Sequence, residues 1–249
     1  MGLSACVDPG DPGRHVAGLH APTGPDTVEP YLYPAVVRVR GGETCTGTLI
    51  SPNHVLTAAH CVQGAESPSV TFGADDATAV TVGVARCELY GPYVEANAEY
   101  LRPAYRATPI AALAGRCGIL ERSDPDEEVV GDSVDLAVLQ LVRPIAHEAL
   151  DGSPGIAAGD VFEDPIPVVD DPSGLASPFD GVAVGFGGPN VRQYRHLTGI
   201  FFSDIRMSKR DVLIPGDSGG PLLVEGPTGL VVIGVAVTTS GWASLAREK

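Results

Sequence analysis

The sequence predicts an all-β fold, a sandwich or barrel, on three observations. Short apolar or alternating segments recur at short intervals. Turn residues separate them, with 31 Gly and 22 Pro in 249 residues. An apolar share of 44% supplies enough material for a buried core around such strands.

The elements follow in order. Residues 1–30 are rich in Pro, Gly and Asp and read as a flexible leader. From Pro34 the pattern changes, and Ala35-Val36-Val37-Arg38-Val39-Arg40 alternates as a half-buried strand does. Thr48-Leu49-Ile50, Val55-Leu56-Thr57, Ser69 to Phe72, Ala79 to Leu89 and Asp135 to Leu141 continue the series. Residues 90–130 break the rhythm, with a helical turn or two expected over Pro109 to Arg116 and an exposed acidic stretch over Ser123 to Glu128. Residues 150–178 read as linker and loops. Strands resume at Gly181 to Gly185, Gly199 to Ile205, Pro221 to Val224 and Leu230 to Val237. Ser240 to Lys249 is expected to form a short capped helix.

Charge and cysteines narrow the function. A formal charge of −15 argues against nucleic-acid binding, which needs clustered Lys and Arg, and disfavours anionic membrane surfaces. No run of 18 apolar residues is present, so no membrane helix is expected. The five cysteines, at 6, 45, 61, 87 and 117, include no Cys-x-x-Cys pair, which gives a zinc or dithiol site little support. No metal or cofactor is expected. Leu3-Ser4-Ala5-Cys6 resembles a bacterial lipobox, in which Cys6 would carry a lipid anchor, although the charged and apolar regions that precede such a box are absent.

Three segments carry chemistry. Thr57-Ala58-Ala59-His60-Cys61 places a histidine among small apolar residues, a setting that by itself is more often structural. Gly216-Asp217-Ser218-Gly219-Gly220-Pro221 flanks a serine with glycines. That lets the backbone turn so that the Gly216 and Ser218 N–H groups converge on one point, as an oxyanion hole requires. Ser218 needs a base, because a free hydroxyl is a poor nucleophile near neutrality, and His60 can serve. The imidazole in turn needs a carboxylate to set its tautomer. Asp135, at the head of the apolar run Leu136-Ala137-Val138-Leu139, is the candidate, and Asp132 is the rival.

These three segments resemble the signatures of the trypsin/chymotrypsin family, in its order of His, Asp, Ser. Cys45-Thr46-Gly47-Thr48-Leu49-Ile50-Ser51 and Val182-Ala183-Val184-Gly185-Phe186-Gly187 extend the likeness, which runs from about Pro34 to Val237. The resemblance, of a bacterial type, implies two six-stranded antiparallel Greek-key barrels, the second of them incomplete here. The first, over 31–150, would carry His60, Asp135 and an insertion at 86–130. The second, over 151–249, would carry Ser218. It implies a serine endopeptidase acting on proteins or peptides as a secreted or envelope-attached monomer. It further implies a Cys45–Cys61 disulfide, which leaves Cys87 and Cys117 to brace the insertion. A protease-like binding protein without activity is the other reading.

Three departures accompany the likeness. No Ile-Val-Gly-Gly-like start follows a basic residue, so Asp217 is a buried charge for which an internal basic group is the expected partner. His60 and Asp135 lie 75 positions apart, longer than is usual in the family. The strand and helix expected beyond Val237 are too long for the residues left, which would leave an open edge, a weak second barrel and low activity. The specificity pocket maps to Val212, Thr238 and Thr239. Val212 at its floor argues for a small or apolar residue ahead of the cut bond, with a one-residue shift to Asp211 as the alternative.

Overall fold

The alternating segments of the first half close on themselves. A computed structural model describes residues 26–27, 33–73, 79–113, 116–121, 135–145, 165–169, 175, 178–188, 192–200, 213–227, 229–238 and 241–245. Strands β1 (Asp26–Thr27), β2 (Val36–Arg40), β3 (Thr44–Ser51), β4 (His54–Thr57), β5 (Ser69–Phe72), β6 (Val80–Leu89) and β7 (Ala137–Leu141) belong to the first half. The second half contributes β8 (Phe179–Gly185), β9 (Gln193–Ile200), β10 (Pro221–Gly226), β11 (Gly229–Thr238) and β12 (Gly241–Ser244). β2-β3-β4-β7-β6-β5 form a closed six-stranded barrel. β1-β9-β8-β10-β11-β12 form a six-stranded antiparallel sheet. The sheet is mostly second-half, with β1 on one edge.

The two units share one core. Val36, Val39, Val55, Leu139 and Ile119 of the first half bury with Val182, Phe186, Leu223 and Val235 of the second. Arg38 shows what this does to a strand. Alternation makes β2 half-buried with Arg38 outward, yet Arg38 is fully buried. The outer face of β2 is covered by the second unit, and the Arg38 guanidinium lies 5.6 Å from the centre of the Phe186 ring. Arg192 lies 5.6 Å from the same ring. Burial, and then the Arg38 cation, lower the Arg192 guanidinium to about 9.

Two expectations for the second half are corrected. The stretch from Ser240 is not a capped helix as far as it is described: Gly241–Ser244 is β12, paired with β11 through Ala236↔Trp242 and Gly234↔Ser244. Trp242 is buried against the cluster holding Phe179, Leu222 and Ile233, and that apolar anchor seats the strand. β12 therefore covers the β11 edge that the sequence reading left open. Likewise, the strand expected at Gly199 to Ile205 runs over Gln193–Ile200 instead, with 201–205 outside the described residues. Its polar start, Gln-Tyr-Arg-His, hides it from a search for apolar runs. At the other end, Asp26–Thr27 lies within the stretch read as leader and pairs with β9.

The insertion packs rather than decorates. After β6 the chain forms α1 (Gly91–Ala96) and 3-10 turns at Ala98–Tyr100, Pro103–Tyr105 and Ile110–Ala112. Tyr93, Val94, Leu101, Leu113, Ile119 and Leu120 are buried in the shared core. Cys87 and Cys117 are joined by a disulfide with a Cα separation of 5.2 Å, as the family resemblance implied. Residues 63–66, just past His60, receive the insertion: the Tyr93 hydroxyl donates to Gln63 Oε1 at 2.7 Å, and Arg102 donates to the Gly64 carbonyl at 3.0 Å.

Candidate active site

Strand pairing brings the histidine and the acid to one end of the barrel. β4 and β7 are antiparallel neighbours, with Thr57 opposite Ala137. His60 lies three residues past the end of β4, and Asp135 two residues before the start of β7. The two meet although 75 positions separate them. Asp135 is fully buried and spends both carboxylate oxygens on one residue. Oδ2 accepts from His60 Nδ1 at 2.6 Å, and Oδ1 accepts from the His60 backbone N–H at 2.9 Å. A carboxylate oxygen can only accept here, so the proton sits on Nδ1 and Nε2 keeps its lone pair. The imidazole is 11% exposed. Asp132, the rival acid, lies outside the described residues.

The disulfide beside the histidine is present. Cys45 and Cys61 are bonded, with a Cα separation of 6.0 Å. It ties the start of β3 to the residue after His60. Cys45, Cys61 and His60 cluster closely enough to suggest a metal site, but both sulfurs are committed to each other.

The loop holding Ser218, residues 214–220, leads into β10 of the second sheet. Ile214, Pro215, Gly216 and Asp217 form a turn closed by the Asp217 N–H on the Ile214 carbonyl at 3.0 Å. Pro in second place and a third-place Gly with φ of 101° make it a type II turn, a form that favours glycine at that position. The Gly219 N–H donates to Ala236 at 2.7 Å and the Gly220 N–H to Asp217 at 2.8 Å. Among the described residues the N–H groups of Gly216 and Ser218 are the two in this loop with no hydrogen-bond partner, backbone or side chain. They are the pair that the sequence nominates as oxyanion donors.

The loop is docked on the first barrel. The Thr46 N–H donates to the Ser218 carbonyl at 2.8 Å, and the Thr57 hydroxyl donates to the Thr46 carbonyl at 2.8 Å. Gly219 has φ of 83°, and a Cβ there would run into the Thr46 carbonyl and the Thr57 hydroxyl. Only glycine lets β3, β4 and the loop come this close. The Cys61 sulfur lies 3.6 Å from His60 Nε2 and 3.7 Å from the Ser218 carbonyl oxygen, so the histidine ring and the serine flank one atom. The described residues show no hydrogen bond from Ser218 Oγ to His60.

Asp217 is held by two backbone donors. Its carboxylate accepts from the Gly187 N–H at 2.8 Å and the Ile214 N–H at 3.0 Å. Burial pushes the carboxyl above its usual range, while these two N–H donors and the Arg195 cation oppose the rise. Asp217 and Arg195 line one small cavity, with Gly185, Gln193, Tyr194 and Leu213. The sequence reading expected a basic partner for Asp217; its hydrogen-bond partners are two backbone donors, which depend on loop geometry.

The pocket residues are less fully placed. Val212 and Thr239 lie outside the described residues, as does Cys6. Thr238 is the last residue of β11, paired with Gly241.

The family model described as Trypsin matches residues 23–98, the part that holds β1 to β6 and His60. Over 59 residues the chain is 44% identical to chymotrypsin of Phaedon cochleariae, covering 22% of this chain and 21% of that one. Over 47 residues it is 49% identical to chymotrypsin-C of Bos taurus, covering 16% and 18%. Over residues 23–98 this chain resembles the trypsin/chymotrypsin family. The matched part spans about a fifth of the length of these curated relatives.

Solved structures extend the likeness over nearly the whole chain. Human heparin binding protein superposes with a TM-score of 0.56 at 16% identity, covering 89% of this chain and 91% of that one. A second structure, the atomic-resolution structure of HBP, gives 0.53 at 17% identity, covering 89% and 87%. At that identity the likeness establishes the chymotrypsin-like fold.

Proposed function

We propose that this protein is a serine endopeptidase that cuts proteins or peptides through an acyl-enzyme on Ser218. The observation that carries the reading is the buried Asp135 with both oxygens on His60, set beside a Gly-Asp-Ser-Gly-Gly loop. Ser218 Oγ attacks the scissile carbonyl, and its proton passes to His60 Nε2. Asp135 holds the Nδ1 proton and stabilises the imidazolium. The carbonyl oxygen gains negative charge, which the Gly216 and Ser218 N–H groups receive. The imidazolium then protonates the leaving amine. A water molecule, deprotonated by the same nitrogen, releases the acid and restores Ser218. Contacts between nucleophile and base of this kind shorten when substrate binds, so a bond missing without substrate is compatible with the role.

Further assignments belong to the same proposal. Val212, with Thr238 and Thr239 at the pocket mouth, supports cleavage after a small or apolar residue. Two disulfides fit an oxidising compartment, and so a secreted or envelope-attached protein. The binder reading draws on the likeness to a heparin-binding protein. A net charge of −15 opposes attraction of a polyanion such as heparin. A fluorogenic peptide library is the test. The native chain is expected to hydrolyse some members and the Ser218→Ala variant none. Equal turnover by both, or none by the native chain, removes the assignment.

A further inference from the structure

We propose that the Thr46 side chain is a positioning residue for the oxyanion hole, a role that rests on the peptidase reading. Thr46 is fully buried at the start of β3, in the first barrel, yet its hydroxyl reaches two groups of the second half. Oγ1 donates to the Gly216 carbonyl at 2.8 Å and accepts from the Phe186 N–H at 3.0 Å. One hydroxyl thus uses its single proton and a lone pair to join the end of β8 to the nucleophile loop.

The peptide unit that Thr46 grips decides what the bond does. Gly216 N–H and Ser218 N–H belong to the peptides on either side of the 216–217 peptide. Their convergence on one point depends on torsions about that middle plane. Its N–H is fixed by the Ile214 carbonyl at 3.0 Å. Its carbonyl is fixed by Thr46 Oγ1. With both ends held, the plane cannot rotate without breaking a buried hydrogen bond, which leaves a costly orphan group. The backbone of the same residue holds the other side of the loop, through its N–H on the Ser218 carbonyl at 2.8 Å. Thr46 therefore sets the angle between the two donors while touching neither substrate nor the reacting atoms.

Thr46→Val keeps the shape and removes the hydroxyl, and Thr46→Ser restores it. Deleting an oxyanion donor outright costs about 10²- to 10³-fold in kcat, so misaiming one should cost less, about ten- to a hundredfold. The Val variant is expected to lose that much kcat with KM within about twofold of native, and the Ser variant to recover most of it. Thr71→Val serves as control. It breaks a hydroxyl pair in the first barrel, Thr71 to Thr81 at 3.0 Å, and should leave kcat unchanged. Hydrogen exchange at the Asp217 amide supplies a readout that needs no activity. It should be about tenfold faster in the Val variant and return toward native in the Ser variant. A Val variant that melts earlier but keeps native kcat when folded, with Asp217 exchange unchanged, overturns the proposal. If the native chain cuts no peptide, the peptidase reading falls, and Asp217 exchange alone decides whether Thr46 holds the loop.

Discussion

Replacing Asp135 by Asn isolates the role of the buried carboxylate, because the two side chains have nearly the same shape. In the native chain both oxygens accept from His60, one from Nδ1 at 2.6 Å and one from the backbone N–H at 2.9 Å. The Asn carbonyl can keep the bond to the backbone N–H. Its NH₂ group then faces Nδ1, and that nitrogen must give up its proton to accept. The proton moves to Nε2, which can no longer take one from Ser218. In enzymes with this triad the change lowers kcat by about 10⁴-fold. At about 1.36 kcal/mol per factor of ten, that is about 5.4 kcal/mol of transition-state stabilisation. Folding should survive, since the lost charge-assisted bond is worth about 1.5–3 kcal/mol. The assay is kcat on the best peptide from the library, with the emission of buried Trp242 reporting an intact second sheet. A folded Asn variant within tenfold of native kcat refutes the tautomer argument. So does a Asp132→Asn variant that loses activity in its place.

Three further outcomes follow from the same geometry. Gly219→Ala should cost more than about 4 kcal/mol, because it combines a strained φ with collision against Thr46 and Thr57, and thermal melting of the variant checks this. Removing the Cys45–Cys61 bond by a double Ala variant should cost about 3 kcal/mol for a link across 16 positions, read from denaturant midpoints. Asp217 gives a pH dependence of defined sign. Its folded carboxyl titrates above the usual range, so its contribution to stability is fullest below about pH 3.9 and is lost as pH rises through the raised value. Melting of Asp217→Asn and native protein between pH 3 and 7 should show the Asn variant gaining relative to native as pH rises. A relative loss would mean that Arg195 and the two N–H donors outweigh burial.

What was legible in the sequence depended on how local the signal was. His60 and Ser218 sit in short runs whose residue types the chemistry requires. Asp135 was legible through the apolar strand that follows it, although 75 positions separate it from its partner. The first barrel was legible because each strand has an apolar face of its own. Arg38 defeated that logic, since alternation says nothing about a second unit covering the outer face. β12 was missed because four residues, Gly-Trp-Ala-Ser, are too few to show a period, and Trp242 alone marked the segment as buried. β9 was displaced because its first residues are polar. The bridge made by the Thr46 hydroxyl went unnoticed for a related reason. The hydroxyl's partners, Gly216 and Phe186, lie 170 and 140 positions away, and nothing in Cys45-Thr46-Gly47 announces them.

The central claim, that Ser218 is an activated nucleophile, is tested most directly by a fluorophosphonate probe, which bonds covalently to such a serine and spares ordinary hydroxyls. Intact-mass measurement should show one probe per native chain, peptide mapping should place it on Ser218, and the Ser218→Ala and His60→Ala variants should remain unlabelled. A folded native chain that takes up no probe, or one labelled at another residue, would contradict it.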